Sequence, residues 1–111
     1  MLHLLRVIDD APESDCQITL HGDRSMVGRH VTADIPLFNA TVNKYHAVLT
    51  RTDAGYTVED WNSRSGTFVN GVRVVESMLL KDSDSIAMGT VKLTYHQTTV
   101  QERIATDKVI N

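Results

Sequence analysis

The sequence predicts an all-β domain, a sandwich of two antiparallel β-sheets whose loops gather at its ends. Apolar and polar residues alternate in several short runs, as in "VKLTYHQ", where Val91, Leu93 and Tyr95 fall on one side. Clusters of Gly, Asn, Asp and Ser separate these runs, among them "HGDR", "TDAG", "NSRSG" and "KDSDS". Before residue 98 the chain shows no convincing helical periodicity.

Ten strands are predicted, each an apolar or alternating run that ends at a turn signal. The acidic stretch "DDAPESD" separates the first two strands, and "HGDR" separates the second from the third. In "YTVED" the side chains of Tyr56 and Val58 share one face of a strand, and "VNG" joins two later strands. The predicted strands cover residues 2–8, 16–20, 25–28, 35–37, 45–51, 56–60, 67–69, 72–75, 85–88 and 91–97.

The chain of 111 residues has room for one domain with one core. We assign residues 1–98 to a β-sandwich domain and residues 99–111 to a C-terminal tail or linker. Val100, Ile104 and Lys108 recur in the tail at four-residue steps, a spacing that fits a short helix.

Composition narrows the class of protein. Hydrophobic residues make up 41% and charged residues 23% of the chain, which is typical of a globular domain that folds alone. A formal charge of −3 argues against a general affinity for nucleic acid. No apolar run is long enough to insert into a membrane, and "MLHLLRVIDD" is too short and too soon acidic for a secretory signal. The single Cys16 cannot form an internal disulfide, so we predict a cytoplasmic protein.

Three loops are rich in hydrogen-bond donors: "GRHVTAD", "NATVNKYH" and "NSRSG". Arg29 and Arg64 each offer a planar guanidinium fork suited to phosphate or carboxylate, and Lys44 offers a point charge. Neutral donors come from Asn43, Ser63 and Ser65. Because the loops of a sandwich gather at its ends, these three loops could converge on one anion.

Catalysis and metal binding find weaker support. Asp60, Ser63 and His46 supply the residue types of a hydrolase triad, but the chain has no Gly-x-Ser-x-Gly nucleophile elbow. The histidines show no metal-ligand spacing: His3, His21, His30, His46 and His96. We therefore expect a protein that is not an enzyme, with no metal site and no cofactor.

Four ordered blocks resemble the forkhead-associated (FHA) domain. "MVGRHVTADIPLFNATVNKYHAVLTRTDAGYTVEDWNSRSGTFVNGVRV", followed by "LLKDSDSIAMGTVKLTYH", is similar to the family's sequence of Gly-Arg, Ser-x-x-His, Asp-x-x-Ser-x-Asn-Gly-Thr-x-x-Asn-Gly and Leu-x-Asp-Gly-Asp-x-Ile-x-x-Gly. The similarity runs from about Met26 to Tyr95, most of the chain.

The resemblance implies a sandwich whose loops at one end bind phosphothreonine peptides. It implies as partner a protein phosphorylated by a Ser/Thr kinase, and a chain that acts in signalling as a monomer or as one domain of a larger protein. Arg29 falls where the family's phosphate-binding arginine lies, and Lys44 and Arg64 fall at positions beside the phosphate. The positions that structure the loops are Gly28, His46, Ser63, Gly66 and Asn70.

Two positions depart from the family pattern. Asn43 replaces the phosphate-binding serine, and Ser65 replaces the asparagine that holds the backbone of the bound peptide. A hydroxyl can make one hydrogen bond where the amide makes two, a loss of about 0.5 to 1.5 kcal/mol. These departures leave an alternative open: a degenerate FHA domain that serves as a phosphate-independent assembly or scaffold module, for example in a secretion-system ring.

Overall fold

A computed structural model of the chain describes residues 2–8 and 16–98. All regular elements in this part of the chain are β-strands, which confirms the predicted all-β class. No helix in these residues is long and apolar enough to cross a membrane. The predicted tail at 99–111, with its short helix, lies outside the described residues.

The strands form the two sheets of a sandwich. The first sheet runs in the order β2 (Cys16–Thr19), β1 (Leu2–Ile8), β11 (Val91–Thr98), β10 (Asp84–Met88), β7 (Thr67–Val69) and β8 (Val72–Arg73). The second runs in the order β4 (Ile35–Pro36), β3 (Arg24–Gly28), β5 (Ala47–Thr52), β6 (Gly55–Asp60) and β9 (Met78–Leu79). Neighbouring strands are antiparallel except β3 and β4, which pair in parallel, so the second sheet is mixed.

All ten predicted strands are present, with ends within two residues of the predicted ones. The prediction omitted β9, which pairs Met78 with Val58 and Leu79 with Thr57 of β6. A strand of two residues is too short to show an alternating pattern, so nothing in the sequence marked it.

The core lies between the sheets and consists of the inward faces predicted from the period-two pattern. Leu93 and Tyr95 of β11 are 0% exposed, whereas Lys92, which precedes Leu93 and points to the other face, is exposed. From the opposite sheet, Leu49 and Val58 are equally buried. Burial of each such aliphatic side chain contributes about 1.5 to 3 kcal/mol to the free energy of folding. The two sheets are therefore held together mainly by their inner faces.

A polar cluster closes the end of the sandwich where β1 begins. Gln97 Nε2 donates to Tyr95 Oη at 3.0 Å, which leaves the Tyr95 hydroxyl to donate to His3 Nδ1 at 2.6 Å. The ring of His3 meets Tyr56 of the other sheet edge-on, with centroids 5.0 Å apart. Burial lowers the pKa of His3, and the nearby charge of Arg51 lowers it further, so both favour the neutral ring.

Candidate functional site

Three loops form one depression at the other end of the sandwich. They are the β3–β4 loop, the β4–β5 loop and the β6–β7 loop, which follow Gly28, Pro36 and Asp60. The depression has a volume of about 740 Å³. Its lining consists of Arg29, Ala40, Thr41, Val42, Asn43, Lys44, Tyr45, Trp61, Arg64 and Ser65.

Arg29 is held in place by the β4–β5 loop. Its backbone N–H donates to Asn43 O at 2.8 Å, and its Nε donates to Val42 O at 2.8 Å. The terminal N–H groups of the exposed guanidinium are left for a ligand. Gly28 makes this close approach possible, because a Cβ atom there would overlap the carbonyl oxygen of Lys44.

Asn43 joins two of the loops through its side chain. Its Oδ1 accepts a long hydrogen bond from the backbone N–H of Arg64 at 3.4 Å. This contact orients the amide, so that Nδ2 is the group left to donate to a ligand. Asn43 can therefore supply the donor that the family takes from serine.

The buried side chain of His46 links the β4–β5 loop to the β6–β7 loop. It is 0% exposed, its Nδ1 accepts from the backbone N–H of Asn43 at 3.1 Å, and its Nε2 donates to Gly66 O at 2.9 Å. Because both ring nitrogens bond to backbone, His46 is a neutral structural residue and has no nitrogen left for proton transfer.

Asp60 organises the turn of the β6–β7 loop. It accepts from Ser63 Oγ at 2.5 Å, from Ser63 N at 3.0 Å and from Thr67 Oγ1 at 2.7 Å, and Ser63 Oγ accepts from Gly66 N at 2.9 Å. Burial alone would raise the pKa of Asp60, but the hydrogen bonds from Ser63 and Thr67 outweigh it and lower that pKa. Ser63 bonds to Asp60 and not to His46, so the three residues do not form a hydrolase triad.

Arg64 and Ser65 lie at the tip of this loop, and both are exposed. Ser65 Oγ donates to Thr41 O at 3.3 Å, so its proton points to the β4–β5 loop and only its lone pairs face solvent. Arg64 adds a third exposed cation to Arg29 and Lys44. Among the ten described residues that line the depression, none is Asp or Glu. A locally positive site thus exists on a chain whose net charge is −3.

Asn70 lies at the far end of β7 from Gly66 and does not line the depression. Its Nδ2 donates to Asp84 Oδ1 at 2.9 Å, and its Oδ1 accepts from Ser85 N at 2.9 Å. These bonds hold the β7–β8 turn against β10. Asn70 therefore supports the strand that follows the β6–β7 loop, at a distance from the depression itself.

The β10–β11 turn also supports the β4–β5 loop of the site, and the sequence patterns did not identify this support. Thr41 Oγ1 accepts from Thr90 N at 2.9 Å and donates to Asn39 Oδ1 at 2.6 Å. Gly89 packs so closely on Thr41 that a Cβ atom there would overlap the threonine side chain. Thr41 carries no sequence signal for this role, whereas Gly89 belongs to the last block of the family pattern.

Comparison with known proteins identifies the family. A model of the FHA domain matches residues 25–89, more than half of the chain. The chain belongs to the FHA-domain family. This finding confirms the resemblance described from the four sequence blocks, and it makes the chain a member of a family of binding modules.

This FHA domain has relatives in several larger proteins. It is 35% identical over 77 residues to an ABC transporter ATP-binding/permease protein of Mycobacterium tuberculosis, an alignment that covers 69% of this chain and 9% of the transporter. It is 32% identical over 91 residues to the oxoglutarate dehydrogenase inhibitor of Corynebacterium jeikeium, covering 82% and 62% of the two chains. The chain therefore spans less than two thirds of the length of these curated relatives.

A solved structure of Mycobacterium tuberculosis EmbR in complex with a low-affinity phosphopeptide has the same fold. The two chains superpose with a TM-score of 0.78 at 27% sequence identity, over 88% of this chain and 26% of EmbR.

Proposed function

We propose that this FHA domain is a phosphothreonine-peptide-binding module that recruits phosphorylated partner proteins in signalling. It acts in the cytoplasm, without a catalytic step or cofactor, on a partner modified by a Ser/Thr kinase. The observation that carries the proposal is the cluster of exposed cations Arg29, Lys44 and Arg64 around one depression, which no acidic residue lines among the residues that the structure describes.

The charge of the ligand matches this cluster. A phosphate on threonine carries about −1.5 to −2 charges at neutral pH and three strong acceptor oxygens. The guanidinium of Arg29 has two terminal nitrogens free for them after Nε bonds Val42 O. Because these contacts orient the fork before a ligand arrives, little side-chain entropy is lost on binding. Lys44 and Arg64 add attraction that salt screens, since both side chains are exposed.

Calorimetric titration with a phosphothreonine peptide and its unphosphorylated twin tests the proposal. We expect binding that requires the phosphate and that Arg29→Ala abolishes, because two charge-assisted hydrogen bonds of about 1.5 to 3 kcal/mol each are lost. Arg24→Ala is the matched control, since Arg24 is an exposed arginine at the opposite end of the same strand β3. If folded Arg29→Ala retains full affinity, the phosphate site lies elsewhere.

Phosphate-independent assembly is the second candidate function. The contact of Ser65 with Thr41 favours it, because this hydroxyl donates inside the protein and not to a peptide backbone. Equal affinity for the phosphorylated and unphosphorylated peptides would make this the better description.

A further inference from the structure

A groove runs along one side of the sandwich, separate from the depression. Both edge strands on this side, β2 of the first sheet and β4 of the second, contribute to it, and its volume is about 490 Å³. Its ten described lining residues are apolar apart from Asn39, Thr90 and Lys92, and none of the ten lines the depression. The phosphate site therefore leaves this groove without a role.

Two large apolar side chains are uncovered in the groove. Phe38 is 75% exposed and Ile8 is 48% exposed. The backbone on both sides of Phe38 is anchored: Leu37 N donates to Gly28 O at 2.8 Å, and Asn39 N donates to Leu37 O at 2.9 Å. This turn holds the ring of Phe38 out from the core, in contact with water. Exposed apolar groups that share a concave surface commonly mark a docking site.

The rim of the groove is cationic. Lys92 is exposed and pairs with Ile8 across β1 and β11, and Arg6 lies two residues before Ile8 on the same face of the sheet. Arg6 and Lys92 are thus diagonal neighbours, about 7 to 8 Å apart. Among the described residues that line the groove none is Asp or Glu, although the net charge of the chain is −3. Apolar walls and a local positive charge are therefore combined at one place.

We propose that the groove is a second docking surface, which binds an acidic segment of a partner protein that carries a large hydrophobic side chain. The hydrophobic side chain packs against Phe38 and Ile8, and the carboxylates beside it pair with Lys92 and Arg6. Charge complementarity of this kind raises the association rate and selects the partner. The binding needs no phosphate, so the inference goes beyond the proposed function and does not rest on it.

The charge of the rim favours this occupant over a second copy of the chain. In a symmetric dimer the same patch of both copies forms the contact, so Lys92 and Arg6 of each copy would enter one interface. Like charges brought together in this way oppose association, whereas carboxylates favour it. The concave shape also suits an inserted side chain better than the surface of a bilayer.

The groove adjoins the depression, so one partner can occupy both. Asn39 and Thr90 line the groove, and both hydrogen bond to Thr41, which lines the depression. Two weak contacts made by one chain reinforce each other, because the first raises the effective concentration of the second.

NMR titration of the ¹⁵N-labelled chain with unphosphorylated peptides tests the proposal. The probe peptide has Leu and Phe at its centre and Asp or Glu at all other positions. A glycine twin replaces Leu and Phe by Gly, and a lysine twin replaces the acidic residues by Lys. We expect the probe to shift the resonances of Phe38, Ile8 and Lys92, and each twin to bind about tenfold more weakly.

Variants assign the binding to the groove. Phe38→Ala and Lys92→Glu should each weaken binding of the probe about tenfold, and Lys92→Glu should gain affinity for the lysine twin, which a loss of folding could not produce. The matched controls are Val31→Ala and Lys81→Glu. Val31 is also 75% exposed and Lys81 is also exposed, but neither lines the groove. Both controls should bind the probe within about twofold of the unaltered chain.

The proposal is overturned if the probe causes no shifts, or if its shifts are confined to Arg29, Asn43 and Arg64, which would place the acidic peptide in the depression. Two further results would overturn it by identifying another occupant: dimerisation in sedimentation experiments, or binding to phosphatidylserine vesicles, that Phe38→Ala abolishes. None of these results alters phosphate-dependent binding, so the proposed function is tested separately.

Discussion

At the residue scale, the departures from the family pattern have physical explanations. Asn43 can donate where the family uses serine, because Arg64 N–H occupies its Oδ1 and leaves Nδ2 for the ligand. Ser65 does not take over the role of an asparagine, because its proton is directed to Thr41 O. The two substitutions thus have opposite consequences: the first conserves a donor at the site and the second removes one.

Asn43→Asp should weaken phosphopeptide binding by more than tenfold. The change keeps the shape and the Oδ1 acceptor for Arg64 N–H, but it replaces the Nδ2 donor by an anionic oxygen facing the phosphate. A lost hydrogen bond to a charged group is worth about 1.5 to 3 kcal/mol, before repulsion is added. Asn43→Ser, which restores the short hydroxyl, should strengthen binding or leave it unchanged. Calorimetry of both variants checks the pair, and full affinity in Asn43→Asp would remove Asn43 from the site.

A phosphothreonine peptide should bind about fourfold more tightly than the matching phosphoserine peptide. The extra methyl group fills a small apolar niche between loops in the family pattern, and burial of one methyl contributes about 0.8 kcal/mol. Competition titration of two peptides that differ only at this residue measures the ratio. Equal affinities would show that no such niche operates in this domain.

At the scale of elements, the site depends on loops packed on one another with little room to move. Gly28 lets the β3–β4 and β4–β5 loops come together, and Gly89 does the same for the β10–β11 turn against Thr41. His46 then fastens the β4–β5 loop to the β6–β7 loop. The positions of Arg29 and Asn43 therefore depend on residues that do not themselves line the depression.

Gly28→Ala should lower both stability and phosphopeptide affinity. The new methyl group meets the backbone of Lys44, which cannot move without displacing Asn43 and Arg29, and overpacking of this kind costs about 1 to 3 kcal/mol. Gly71→Ala is the control, because its space is open and its cost of about 1 kcal/mol comes only from a positive φ of 82°. Melts should shift down in both variants, but only Gly28→Ala should lose affinity. Normal binding by Gly28→Ala would mean that the loops adjust freely.

At the scale of the whole molecule, the two ends of the sandwich have different tasks. One end carries the cationic depression, and the other is closed by His3, Tyr95 and Tyr56, which join the two sheets. Since these clusters lie at opposite ends, stability and binding can be altered separately.

The free energy of unfolding should fall as the pH drops below the ordinary pKa of histidine, about 6.5. The pKa of His3 is lowered in the folded state by burial and by Arg51, so the unfolded chain binds a proton more readily. The stabilisation is complete above the unfolded pKa and is lost as the pH falls through the lower folded value. Denaturant titrations at about pH 7.5 and pH 5 measure the change, and His3→Gln should reduce it. An unchanged pH dependence in His3→Gln would assign the effect to other groups.

Most of the fold could be predicted from the sequence, because strand periodicity and turn residues are local properties. The alternation that includes Leu93 and Tyr95 identified the buried faces, and the family blocks identified Arg29, Asn43 and His46 as residues of one end. Strand β9 and the parallel pairing of β4 could not be predicted, since two-residue strands have no period.

The sequence by itself determined the class of the fold, the family and the residue types available for an anion. Only the tertiary structure decided which atoms of those residues face a ligand. The orientation of the Asn43 amide, the hydrogen bond from Ser65 Oγ to Thr41 O and the position of Trp61 and Tyr45 in the lining of one depression all depend on contacts between loops far apart in the chain. Such contacts leave no periodic trace in a sequence, because they arise only when the packed sheets bring the loops together.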